Sequence, residues 1–145
     1  MNGLWRCGVS LGIMGACAVG WGCVSPERNP VSWRDKELRV ARIISSNAPV
    51  PIPEGVVITF RWAADGKVSG KAPVNRYFGS LEESKTGQIL WRGGVASTRM
   101  GGPPGLMFLE ATYLKVLGSV SRSTRREAAL VLATPDGGSA VELVP

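Results

Sequence analysis

Side chains able to carry out chemistry are few in this sequence and unevenly placed. There is no histidine, which removes the commonest metal ligand, every triad built on imidazole and any imidazole pH switch. Cys7, Cys17 and Cys23 are the only cysteines, so a cysteine-built metal site is excluded from the rest of the chain. Glu82 and Glu83 are adjacent carboxylates. Neighbours on a strand point to opposite faces and neighbours in a loop are both solvated, so neither arrangement suits paired acid–base work. Arg122, Arg125 and Arg126 cluster in SRSTRRE, where they would complement a helix C-terminal dipole or lie on anionic lipid. The most distinctive polar elements are Asn75-Arg76-Tyr77-Phe78-Gly79 and Thr98-Arg99-Met100. In one reading Asn75, Arg76, Arg99 and Met100 surround a ligand groove. In the other, Asn75 bonds backbone in a turn, Tyr77 and Phe78 pack in the core, Gly79 takes a positive φ and Met100 covers a helix start. The second is the commoner use of Asn and Gly. No catalytic residue, metal or cofactor is expected from these elements.

The cysteines have a different context. Arg6 is followed by an uncharged stretch from Cys7 to Cys23, the basic and then apolar pattern of an export leader. Ile13-Met14-Gly15-Ala16-Cys17 resembles a bacterial lipobox, in which small residues admit the backbone to a peptidase and the thiol takes the lipid. Residues 1–16 are therefore expected to be a lipoprotein signal peptide, with Cys17 lipidated. Cys23 is the alternative, although Trp21 is bulky for that role. Ala16-Cys17-Ala18 also fits an A-x-A site that would release a soluble protein. An uncleaved anchor stays open too, since about 18 apolar residues can begin to span a bilayer. Residues 17–36 are then the lipidated cysteine and an extended tether, stiffened by Pro26 and Pro30. Trp5 and Trp21 belong to the leader.

The elements that would position the polar motifs lie in residues 37–145. The chain has 145 residues, a net charge of +6, 19% charged and 44% hydrophobic residues. That is enough for one domain with a real core. Nineteen glycines and ten prolines indicate many turns between short strands. Residues 37–44 read as a strand and the proline-rich 45–55 as a connection. Val56, Ile58, Phe60 and Trp62 alternate with polar or smaller residues, giving a strand with one apolar face. Asp65-Gly66 turns it into a return strand at residues 67–70. Residues 71–87 read as loop. Residues 88–92 read as a short strand broken by Gly93-Gly94. Leu106, Leu109, Tyr113, Leu117 and Val120 then lie on one face of a helix of about 14 residues. Pro104 stands near its start and Gly118 at its end. Residues 128–133 and 139–144 flank a second hairpin turn. Trp62 and Trp91 are expected in the core. The fold class is α+β, mostly β: an antiparallel curled sheet or small barrel with one amphipathic helix.

In order and spacing, several pieces from Gly66 to Val144 resemble the META domain family, the HslJ-like group. The pieces are Gly66-Lys67-Val68-Ser69-Gly70, Asn75 to Gly79, Thr98-Arg99-Met100, Leu106 to Glu110, and a last hairpin with Leu130-Val131-Leu132 and Asp136-Gly137. Trp33 or the strand from Glu37 would open the domain. Many members carry a cysteine before the Asn-Arg element and another after Thr-Arg-Met; here those places hold Val74 and Gly102. The resemblance implies exported or surface locations and stress-related roles, and no common catalytic activity.

Together these readings predict a non-catalytic lipoprotein of the cell envelope, in the outer membrane or periplasm if the cell is Gram-negative. Its role would be binding or structural, with the membrane as partner through the lipid and an envelope protein as a possible second. A domain that binds a small apolar ligand inside the sheet is the alternative. Nucleic acid is not expected as a partner, because the leader directs the chain away from it.

Overall fold

The computed structural model describes residues 32–145. The signal peptide, Cys17, Cys23 and nearly all of the tether fall outside the described residues. Nine strands and one helix follow in order. They are β1 (Glu37–Ser45), β2 (Ala48–Val50), β3 (Thr59–Trp62), β4 (Lys67–Lys71), β5 (Arg76–Glu83), β6 (Ile89–Ser97), α1 (Pro104–Ser119), β7 (Arg122–Arg125), β8 (Leu130–Ala133) and β9 (Ala140–Val144). All pair antiparallel in the order β6-β5-β4-β3-β1-β9-β8-β7, with β2 on β1. The sheet curls into a half-barrel. At one end its two edges meet, through a bridge between Gln88 and Arg122 and bonds from Ile89 N–H to Ser121 O (2.9 Å) and Ser123 N–H to Gly87 O (2.7 Å).

Alternation decides which side chains go inside. Leu38, Val40 and Ile43 of β1, Phe60 and Trp62 of β3, and Val141 and Leu143 of β9 are buried. A bulge between Val40 and Arg42 leaves Ala41 and Arg42 both outward and returns Ile43 to the core. Helix α1 fills the concave side with Leu109, Tyr113, Val116 and Leu117, as the helical spacing predicts. Leu106 is only half-buried. The helix runs through Gly118 to Ser119, and Val120 caps it in extended conformation. Trp33 is buried, and Trp91 packs against the core while its indole N–H donates to Leu117 O at 2.9 Å.

Several expectations need correction. Residues 71–87 are not mainly loop, because they contain β5. Tyr77 and Leu81 do alternate inward, but Gly79 interrupts the apolar series. A Cβ there would lie 2.7 Å from the Trp91 ring, so the gap in the pattern is filled by a tryptophan from the next strand. Gly79 therefore serves close approach, not the positive φ expected of it. That φ belongs to Gly93 and Gly94, at 77° and 76°. They form an irregularity between the Gly79–Val95 and Leu81–Trp91 pairs, so β6 bends through them instead of stopping. Phe78 is 49% exposed, on the outer face rather than in the core. Part of the proline-rich connection forms β2, an edge strand where proline is tolerated. The arginine cluster misses the last helical turn, which holds no basic residue, because the chain has already turned into β7.

Candidate functional site

Asn75 precedes β5 and is buried, 2% exposed. Its Oδ1 accepts from Thr98 Oγ1 (2.9 Å) and Met100 N–H (2.6 Å). Its Nδ2 donates to Met100 O (3.1 Å) and Glu110 Oε1 (2.6 Å). Both lone pairs and both amide hydrogens are thus spent on the protein itself. Glu110, buried in α1, also accepts from the Val74 and Asn75 backbone N–H groups through Oε2, each at 2.7 Å. Thr98 Oγ1 accepts in turn from Arg76 N–H at 3.1 Å. One cluster therefore ties the start of β5, the end of β6 and the helix together.

The four residues singled out from the sequence divide. Asn75 is the hub, and Met100 joins it through its backbone while its side chain is 64% exposed. Met100 does not cover the helix start. Arg76 and Arg99 are exposed and bring no side chain into the hub. The member that sequence reasoning missed is Glu110. Its signal was present: it is the helix's only acid, and it sits three and seven residues before Tyr113 and Leu117, on the apolar face.

Next to the hub, the Tyr77 hydroxyl donates to Thr59 O (2.6 Å) and lies 2.8 Å from the Tyr113 hydroxyl, which donates to it. The rings meet edge to face at 5.6 Å. Burial pushes both phenols well above their ordinary value of 10.0. In the unfolded chain they ionise near that value, so stability is whole below pH 10 and falls as pH rises beyond it. Urea midpoints taken on either side of pH 10 measure that loss.

The META domain family model matches residues 33–144 of the chain. The chain belongs to the META domain family. Its fold recurs in solved structures. A protein from Burkholderia xenovorans aligns with a TM-score of 0.61 and 23% identity, over 77% of this chain and 82% of that one. A DUF4847 family protein from Bacteroides vulgatus aligns with a TM-score of 0.57 and 10% identity, over 78% and 94%. A third structure aligns with a TM-score of 0.57 and 21% identity, over 79% and 92%. No curated protein gives a significant match.

The META domain has a second polar cluster, where its sheet edges meet. Glu83 is not simply solvated. Its Oε2 accepts from Arg34 (3.0 Å) and Arg125 (2.9 Å), and its Oε1 from Ser123 Oγ (2.5 Å). Arg34 also lies over the Trp62 ring, 3.6 Å from its centroid. Glu82 points to the opposite face and pairs with Arg92 at 2.6 Å, which holds its carboxyl below the usual range. The two carboxylates are therefore separated by the pleat. Among the described residues no group of three or more His, Cys, Asp or Glu is arranged to hold a metal ion, and no helix is long and apolar enough to cross a membrane. The concave side of the META domain is occupied by Trp62, Tyr77, Tyr113, Phe60 and the leucines around them.

Proposed function

We propose that this META domain protein is an exported, lipid-anchored and non-catalytic component of the cell envelope. In this reading it is held by Cys17 and serves a binding or structural role in envelope stress. The observation that carries the non-catalytic part is the saturation of Asn75. The most distinctive polar side chain of the motif uses every hydrogen-bonding position on its own chain, so it shapes the domain and leaves nothing for a substrate. The anchor rests on the uncharged leader and the Ile13 to Cys17 pattern. Two or more acyl chains would hold a domain of this size stably to a membrane. The filled concave side favours a surface role over an apolar ligand held within the sheet.

Intact mass spectrometry of membrane-extracted protein tests the anchor. Acylation at a mature N-terminal Cys17, lost in Cys17→Ser, is the expected result. An unmodified mature chain, or acylation that Cys23→Ser abolishes and Cys17→Ser does not, overturns the assignment of Cys17. Turnover of an envelope substrate that a single substitution abolishes would overturn the non-catalytic reading.

A further inference from the structure

The seam, where the two sheet edges meet, holds more positive charge than its own carboxylate neutralises. Arg34 and Arg125 both donate to one oxygen of Glu83, Oε2, at 3.0 and 2.9 Å. Two guanidiniums held that close repel each other unless further negative charge is near. Residues 83–87 and 123–125 line an open cleft of about 520 Å³ there, with Glu83 as its one carboxylate. Lys85, at the tip of the turn between β5 and β6, is exposed and enters no ion pair among the described residues. The other carboxylates at this end are engaged: Asp65 pairs with Lys67, Asp35 accepts from Ala64 N–H, and Glu127 has a contact of its own. The hydroxyls point the same way. Ser84 Oγ accepts from the N–H groups of Thr86 (3.3 Å) and Gln88 (3.2 Å), so its own hydrogen goes to Thr86 Oγ1 at 2.8 Å. That leaves the Thr86 hydroxyl hydrogen as a donor to whatever enters the cleft.

We propose that this cleft takes the phosphate of an anionic lipid headgroup, so that the domain meets its membrane seam first. Guanidinium, ammonium and hydroxyl donors around one opening are the donor set that phosphate oxygens accept. The place where the chain enters the domain favours a lipid phosphate over a free one. Trp33 is buried, Arg34 lies over the Trp62 ring and bonds Glu83, and Asp35 N–H donates to Trp62 O at 2.8 Å. The segment leading back to Cys17 therefore leaves from the seam, and Arg34 links that exit to the cleft through Glu83. To that extent the proposal rests on the lipid anchor. About 15 residues separate Cys17 from Trp33, enough chain for the cleft to reach the bilayer without strain. The hub, at the opposite end of β5, would reach it only with the tether drawn back along the domain.

The test is lysine-labelling footprinting of the membrane-extracted full-length protein, reconstituted in phosphatidylcholine vesicles with or without phosphatidylglycerol. The anchor is present in both, so only the headgroup differs. Lys85 should be labelled several-fold more slowly in the anionic vesicles. Lys71, exposed at the end of β4 away from the seam, and Lys115, exposed on the helix, should react equally in both. The protection should fade at high salt. Arg125→Gln, which leaves Glu83 bonded to Arg34, should remove most of it. Equal labelling of Lys85 in the two vesicle types overturns the proposal, as does protection of Lys71 to the same degree. Protection of Lys85 by millimolar inorganic phosphate in phosphatidylcholine vesicles, equal to that given by phosphatidylglycerol, overturns it in favour of a free phosphate ligand. Acylation at Cys17 is read separately from the intact mass of the same sample, so a failed anchor and a failed cleft are told apart.

Discussion

Glu110 and Glu83 each gather three donors and each joins parts of the chain far apart in sequence, yet their chemistry is opposite. Glu110 is buried and meets only neutral groups: two backbone N–H groups and one amide. Glu83 sits at the edge, 11% exposed, between two guanidiniums whose side chains are 28% and 53% exposed. Bonds from fixed backbone donors specify position closely and cannot be replaced by water once buried. Ion pairs to long, partly solvated arginines tolerate adjustment and are screened by salt. The hub therefore sets where helix and strands lie, and the seam fastens a sheet edge already placed by its backbone bonds.

The sharpest way to break that contrast is Glu110→Ala. It strands the Val74 and Asn75 N–H groups and opens a cavity, so a loss of about 3–5 kcal/mol is expected in urea unfolding. A loss near zero would mean that the hub is decoration. Strapping the same end should do the reverse. A Cβ built at Gly102 lies 3.5 Å from Val74 Cβ, at the near limit of disulfide spacing, about 3.5–4.5 Å. Val74→Cys with Gly102→Cys should form a bond mapped by mass spectrometry and add about 2–4 kcal/mol when oxidised. Equal melting temperatures with and without reductant would count against it. That geometry also agrees with the cysteine pair that the family resemblance implies at these positions.

Asn75→Asp probes the neutral character of the hub. It puts a second carboxylate 2.6 Å from Glu110 Oε1, which raises the pKa of the pair in the folded state. Its deficit should be largest at pH 7 and shrink as pH falls through the carboxylate range. A deficit that is flat with pH would show that geometry, not charge, is at stake. The smallest effect is expected at the seam. Glu83→Gln should cost about 1 kcal/mol, less in high salt, and a cost equal to that of Glu110→Ala would erase the distinction.

The half-barrel and its helical plug were legible in the sequence because burial follows simple periods. Ile58, Phe60 and Trp62 alternate, while Leu109, Tyr113 and Leu117 recur at helical spacing, and all are buried. Strand β5 was hidden because its inward series includes Gly79, whose space Trp91 fills from another strand. Strand β7 was hidden because RSTR has one buried residue in four and owes its place to β8 and the seam. Asn75 was legible as a turn residue, but its partners come from 23 to 35 residues away, a distance that no local pattern spans. Glu83 passed for a solvated charge for the same reason, since Arg34 and Arg125 reach it from opposite ends of the domain.

The position of β9 sets the order in which the molecule can be made. Ala140–Val144 are made last among the strands, yet they lie between β1 and β8 near the middle of the sheet. A chain that lacks them leaves Val40 and Ile43 without their cross-strand partners on β9, and β8 without the strand that joins it to β1. The half-barrel is therefore completed only when β9 inserts between β1 and β8.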